Sequence, residues 1–475
     1  MSSNAAAPPR LCISALAIFL FAAGCAVGPD YQRPQLSVPA TWEARKPHAA
    51  TDNQLIGWWE RFNDPALTRF QRLAEDNSPT LEQAVARIEQ ARATIAGNWS
   101  QALPNITGSG SFTRTKQQTA ASGHTISETR TYGLDSSWEL DLFGKVRRNI
   151  QASRARVQAR IDDWHDARVS LAAEVADDYV QYRGCEQLAA LYEGKAQSQS
   201  ESARLTRINA TAGFTASADA ELAEASAASM RSTWNDQVSQ CDLLAKSLTS
   251  LTGSDEKMLR DMLSPGKGTV PKPAELNVTS VPADILRQRP DIASSERELA
   301  AASEEIGAAV AKLYPSLTLN GSITASGGAS LWSFGPSLSV PIFDGGSALA
   351  GVRSANASYN LQLATYRESV RSAVLEVEQA LVRLGSALAR DADTARAADG
   401  YQASFLATER QYQAGSASII DRESARRNAL DAQNSLVTLR MTQVRDWIAL
   451  YKALGGGWDA LDVSSANLPT GVRQP

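Results

Sequence analysis

The sequence predicts a mainly α-helical protein with a small membrane β part, built from two similar halves. Three observations carry that prediction. Strand-like segments followed by a very long helix recur about 200 residues later, and the match continues at a fixed spacing of 202, which pairs Gly213 with Gly415, Asp219 with Asp421 and Gly253 with Gly455. Four segments alternate apolar and polar residues. The long helical stretches carry apolar seams spaced by threes, fours and sevens. Repeated short strands and long helices point to a tube rather than to a catalytic pocket.

The elements follow in chain order. Residues 1–24 hold one charged side chain, Arg10, then the apolar run from Leu11 to Ala23. That run is too short to span a bilayer and predicts a secretory signal. Residues 25–65 form an N-terminal segment, and 66–265 form the first repeat, with strands at about 105–114 and 132–142 and long helices at about 145–252. A linker at 266–290 leads to the second repeat at 291–456, with strands at about 316–325 and 333–343 and long helices at about 346–454. Residues 457–475 form a tail.

Each strand segment is about 10 residues, the length of a tilted membrane strand. Tyr132, Leu134, Trp138 and Leu140 alternate with Gly133, Asp135, Ser137 and Glu139, and Trp332, Phe334 and Leu338 alternate with Ser333, Gly335 and Ser337. A soluble half-buried sheet would show the same alternation. In lipid, unsatisfied strand edges cost several kcal/mol each, so four spanning strands must be completed by other copies. On this reading Asp135, Glu139 and Asp141 face the polar interior, with a modest cation preference.

From Lys145 to Arg183 no Gly or Pro interrupts the helical pattern, and with two glycines, Gly184 and Gly194, it continues to Ala210, roughly 100 Å at 1.5 Å per residue. Ile150, Val157, Ile161, Trp164, Leu171, Val175, Tyr179 and Tyr182 line its seam. Each long helix turns at a glycine, Gly213 or Gly415, and returns as a second arm. Cys185 lies 28 residues before Gly213 and Cys241 lies 28 after it, so equal arms bring them to one height. A Cys185–Cys241 disulfide is expected in an exported chain, against two buried free thiols.

The net charge of −4 gives no basis for nucleic-acid binding. Three histidines, His48, His124 and His165, are far apart and show no metal-ligand spacing. Lys267 sits between glycines without the spacing of a phosphate-binding loop, and Asp141-Leu142-Phe143-Gly144 lacks the companions of a kinase. No enzyme, cofactor or metal is expected.

Ala22-Ala23-Gly24-Cys25 resembles the bacterial lipobox, with Ala22 where Leu is usual; the resemblance implies lipidation at Cys25 and, with Ala26 following, sorting to the outer membrane. Cys25-Ala26-Val27-Gly28-Pro29-Asp30-Tyr31-Gln32-Arg33-Pro34 and Trp58-Trp59-Glu60-Arg61-Phe62-Asn63-Asp64-Pro65 resemble the lipoprotein branch of TolC-like outer-membrane efflux proteins. So do Ser137-Trp138-Glu139-Leu140-Asp141-Leu142-Phe143-Gly144-Lys145 and Val281-Pro282-Ala283-Asp284-Ile285-Leu286-Arg287-Gln288-Arg289-Pro290-Asp291-Ile292. The resemblance implies a homotrimer with a twelve-stranded barrel in the outer membrane and an α-helical tunnel through the periplasm. It further implies a periplasmic adaptor protein and an inner-membrane transporter, most naturally of RND type, as partners.

In that family the helix ends close the tunnel at rest. The resemblance places Tyr412, Asp421 and Asp219 at the entrance, joined by Arg422 as the expected gate, with Ala417 and Ser424 standing where relatives often carry charge. Tyr412 has Ala210 as its counterpart, so the moving part is expected in the second repeat. The cargo is expected to be drugs, toxic compounds or metals; a type I protein-secretion duct is the nearest alternative, and a structural coiled-coil lipoprotein would leave the strands unexplained.

Overall fold

The first long element begins where the sequence supplies partners for its orphan backbone groups. The structure is a computed structural model that describes residues 26–34, 58–119, 123–273, 286 and 288–456. The predicted signal at 1–24, Cys25, His48 and the tail at 457–475 lie outside the described residues. Asp64 Oδ1 accepts from Ala66 N at 2.9 Å and from Leu67 N at 3.3 Å, and Pro65 takes the first helical position, opening α1 (Pro65–Asn77). Next come α2 (Pro79–Ser100), β1 (Asn105–Thr119), β2 (Gly123–Leu140), α3 (Lys145–Thr211), α4 (Ser217–Thr252) and α5 (Glu256–Leu263). The second half runs α6 (Pro290–Ala311), β3 (Ser316–Ser326), β4 (Ala329–Ser339), α7 (Ser347–Gln413) and α8 (Ile419–Ala453). Among the described residues no helix is long and apolar enough to cross a membrane.

The chain divides into two compact units, each taking residues from both halves of the sequence. The first holds the described parts of Met1–Leu36, Val85–Asp162 and Ala293–Ser369, including the whole sheet. Its four strands are all antiparallel in the order β1-β2-β3-β4, and the outer edges of β1 and β4 have no partner among the described residues.

Register makes this sheet two-faced. Ile106 and Phe112 of β1, Tyr132, Leu134, Trp138 and Leu140 of β2, Leu317, Leu319 and Ile323 of β3, and Trp332, Phe334 and Leu338 of β4 share one face, because odd positions of β3 pair with even positions of its neighbours. The opposite face carries continuous polar rows such as Thr107, Asp135, Ser322 and Ser333. Pro336 is tolerated because β4 is an edge. Three strands differ from the sequence reading, and the first of them, β1, runs to Thr119 rather than to about 114. β2 starts at Gly123 rather than near 132, since Ile126 is the only large apolar residue of its first part and one residue shows no alternation to read. β4 spans Ala329–Ser339 rather than 333–343, because Pro341 cannot continue the ladder.

The second unit holds the described parts of Ser37–Ala84, Asp163–Ile292 and Val370–Pro475. Trp58 stacks on Trp447 with ring centroids 3.9 Å apart, and Phe62 meets Trp447 edge-on at 5.2 Å, which fixes the turn Trp58–Phe62 against α8. Tyr179 Oη donates to Asp64 Oδ2 at 2.7 Å, and the buried Arg183 donates to Tyr179 Oη, to Glu186 Oε2 and to the carbonyls of Leu263 and Pro265. A disulfide joins Cys185 of α3 to Cys241 of α4, with Cα atoms 5.5 Å apart.

Candidate functional site

In the second unit the long helices end in two turns built on the same plan. Gly213 and Gly415 take φ of +80° and +74°, which a side chain would strain, and the N–H groups of Phe214 and Ser416 bond back to Asn209 O at 2.8 Å and Gln411 O at 2.9 Å. The helices that follow start differently. Ser418 Oγ accepts from Asp421 N at 3.1 Å, while Asp421 Oδ2 accepts from Ser418 N at 3.2 Å and from Ser418 Oγ at 2.6 Å, a closed capping box at the start of α8. These bonds hold the Asp421 carboxyl below its ordinary range. At the start of α4 the matching residue is Ala216, no side chain caps the helix, and Asp219 occupies the same third position.

Tyr412 packs against a buried cluster of Ala203, Ala223, Ala227 and Ile419, and the guanidinium of Arg422 lies 4.5 Å from its ring centroid. Arg422 is buried, and its Nε and Nη2 donate to Glu423 Oε1 at 3.2 and 2.9 Å. The other oxygen of Glu423 accepts from Gln199 Nε2 of α3 at 2.6 Å. Arg426 Nη1 stands 3.4 Å from Glu423 Oε1, its Nη2 donates to Ser202 Oγ of α3 at 3.3 Å, and Glu409 Oε2 approaches both arginines at 3.6 and 3.8 Å. Phe405 is flanked by Arg426 and Lys195, each 5.4 Å from its ring centroid. Burial lowers the pKa of Lys195, and Arg426 adds to the effect; burial likewise lowers that of Arg426 against the pull of Glu423.

Of the four expected gate residues, the structure joins Tyr412 and Arg422 in one contact. Asp421 is used by its own helix start, and Asp219 sits exposed enough to meet solvent in the first turn of α4. Sequence reading missed Glu409, Glu423, Arg426, Gln199 and Lys195. A signal was present: at the spacing of 202, Arg207 is replaced by Glu409 and Glu224 by Arg426, an inverted charge pair. In the first half Arg207 does pair with Glu221 at 2.8 Å and with Glu224 at 2.5 Å, at the surface.

The first unit places the three other expected site residues. Asp135 and Glu139 lie on the polar face of the sheet, and Glu139 accepts from Lys145 Nζ at 3.0 and 3.2 Å. Asp141 is past the end of β2 and does not belong to that face. Its oxygens accept from Val146 N at 3.0 Å and Arg147 N at 2.9 Å, because the first amides of α3 need an acceptor. Among the described residues no group of three or more His, Cys, Asp or Glu could hold a metal ion.

Comparisons with known proteins agree in kind. The family model described as outer membrane efflux protein matches residues 71–254 and 281–456. The chain is 32% identical over 458 residues to nodulation protein T of Rhizobium leguminosarum bv. trifolii, covering 93% of this chain and 96% of that protein. It is 29% identical over 474 residues to the probable efflux pump outer membrane protein TtgC of Pseudomonas putida, covering 95% and 96%. Among solved structures, the outer-membrane channel OprN aligns with a TM-score of 0.80 at 30% identity over 91% of this chain and 100% of that one. The Campylobacter jejuni CmeC outer membrane channel aligns with a TM-score of 0.81 at 25% identity over 92% and 96%.

Proposed function

The chain belongs to the outer membrane efflux protein family, whose members are channels and not enzymes, and on that premise we propose that it is the passive exit duct of a tripartite efflux pump. Three copies each contribute the sheet β1–β4 to a twelve-stranded barrel in the outer membrane, and the long helices form the tunnel. A periplasmic adaptor protein and an inner-membrane transporter of RND type deliver small molecules to its periplasmic end. Cys25 is acylated and anchors the chain to the outer membrane.

The observation that carries this reading is the register of the sheet. It gathers most of the large apolar side chains on one face, where Trp332 and Phe334 are about three-quarters exposed in a single copy, and leaves two edges open. A soluble sheet would cover that face; a membrane strand turns it to lipid. Completing the edges with further copies satisfies the backbone groups that hydrocarbon cannot. Asp135 and Glu139 then face the lumen and favour cations.

The gate of this duct is the end of the helices, with Tyr412 and Arg422 at its centre, Asp219 and Asp421 at the entrance, and the second-half hairpin as the moving part. Relatives are named for antibiotic, toluene and solvent efflux, which makes small apolar and amphipathic compounds the first cargo to test. The decisive measurement is single-channel conductance of the reconstituted protein. Heat-modifiable oligomers that conduct are expected, and Tyr412→Phe combined with Asp421→Asn should raise conductance; unchanged conductance removes these residues from the gate. A gene deletion tested against antibiotics, dyes, solvents and metal salts identifies the cargo.

A further inference from the structure

Ala26 to Pro34 form no helix or strand, yet the segment is bonded along its length to the first unit. Val27 N donates to Phe143 O at 3.2 Å, next to the end of β2. Gly28 takes φ of +94°, and a Cβ there would fall 2.4 Å from Gly307 Cα in α6, a backbone approach that only a glycine pair allows. Asp30 accepts from Arg148 Nη2 at 2.9 Å; Arg148 is almost wholly buried and also donates to Glu304 at 2.7 Å. Tyr31 Oη donates to Glu296 Oε1 at 3.3 Å, and Arg33 pairs with the same carboxylate. Burial, reinforced by Glu296, pushes the Tyr31 phenol up.

A flexible lipid tether needs none of this. Gly/Ser-like linkers gain reach from disorder, whereas these residues have been committed to one surface by a glycine contact and a buried arginine. The start of the segment is committed as well: a Cβ at Gly144 would lie 2.9 Å from Ala26 Cα. Ala26 is the residue to which an acylated Cys25 is bonded, and it sits at the junction of sheet and α3. Leu103 before β1 and Val340, Ile342 and Phe343 after β4 expose apolar side chains at the same end of the strands.

We propose that residues 26–33 are a docking strap that sets where the lipid anchor leaves the protein, at the helix-side rim of the sheet. The partner surface is the leaflet that meets this rim, so acyl chains and strands enter the membrane in one register. The strap rests on the acylation of Cys25 proposed above. It acts as an insertion guide: an anchored chain presents its open sheet to lipid at a fixed height instead of searching over the reach of a slack linker.

Six Gly/Ser residues inserted between Cys25 and Ala26 leave every strap contact intact and add about 13 Å of slack. The full-length wild type, this insertion, Arg148→Met and Cys25→Ala are compared by radiolabelled palmitate incorporation and by the yield of heat-modifiable oligomer in outer membranes. Wild type and insertion should take label equally, while the oligomer yield of the insertion falls about threefold or more as the effective concentration of the anchored sheet at the membrane drops. Arg148→Met should show the same loss with label retained; if that variant fails to fold, the insertion still decides. A labelled insertion variant with wild-type oligomer yield overturns the strap. Wild type without label overturns the acylation reading, and the strap with it.

Discussion

The two helix-end turns of the second unit share a plan and differ in where they keep their charge. In the first half Arg207 meets Glu221 and Glu224 at the surface. In the second half the signs are reversed at two of these positions, and Arg422, Glu423 and Arg426 are drawn into the interior beside Phe405 and Tyr412, with the half-buried Glu409 at their edge. Water screens the first set and contributes most of its solvation. The second set depends on its own geometry, since a buried charge that loses its partner has no solvent to replace it. The same sequence spacing therefore yields one turn that tolerates change and one that is held by mutually dependent groups. Through Gln199 and Ser202 of α3, the buried set also ties the second hairpin to the first.

The sharpest test of this contrast is a matched pair of substitutions. Glu423→Ala removes the hydrogen-bond acceptor of the buried Arg422 and an ion-pair partner of the buried Arg426 and should cost about 3–5 kcal/mol, whereas Glu221→Ala at the surface should cost no more than about 1 kcal/mol. Thermal unfolding of the purified protein measures both; equal losses would erase the distinction between the turns.

A second contrast lies further along the same hairpins. Cys185 and Cys241 are joined in the first, and at the spacing of 202 their counterparts are Ala387 and Gln443, where Gln443 Nε2 donates to Ala387 O at 3.1 Å. Replacing both cysteines by serine should cost about 2–4 kcal/mol, and Gln443→Leu about 1 kcal/mol. A smaller loss from the disulfide than from the glutamine would reverse the expected order. A mobility shift on reduction checks that the bond forms in the native protein.

The helix starts sharpen the comparison on a finer scale. Ser418→Ala should remove the capping box and about 1 kcal/mol, while Ala216→Ser should add part of that to α4 by giving Asp219 a partner. Lys195 provides the smallest effect. Its pKa is lowered from 10.5 chiefly by burial, so the folded state holds its proton less tightly than the unfolded chain does. The resulting cost is complete below the lowered pKa and shrinks as pH rises towards the ordinary lysine value. Lys195→Met should therefore raise the melting temperature slightly at neutral pH, with the advantage over wild type narrowing in alkaline buffer; a constant difference across that range contradicts the assignment.

Much of the architecture is legible in the sequence. Strand alternation located the sheet because one face is greasy along β3, β4 and the second part of β2; it was weakest in the Gly-rich β1 and failed at Gly123–Thr131, where Ile126 is the only large apolar side chain. The glycines at 213 and 415 announced the turns because positive φ admits little else. At the helix ends Tyr412 and Arg422 could be named through the family resemblance of the turn, but Glu423 and Arg426 could not. On a helical seam, charged residues usually face water, and nothing in their spacing says otherwise.

Periodicity, turn residues and the spacing of 202 therefore settle which segments are strands, which are helices and where each long helix turns back, because these follow from local backbone geometry and the repeat of apolar faces. Which charges are buried is decided by packing. Arg148, Arg183 and Arg426 become internal only when distant segments supply acceptors, Asp30 and Glu304 for the first, the carbonyls of Leu263 and Pro265 for the second and Ser202 for the third, while Arg422 relies on its neighbour Glu423, which Gln199 of α3 holds in place. A charge leaves water only where several partners converge, and convergence is a property of the folded chain.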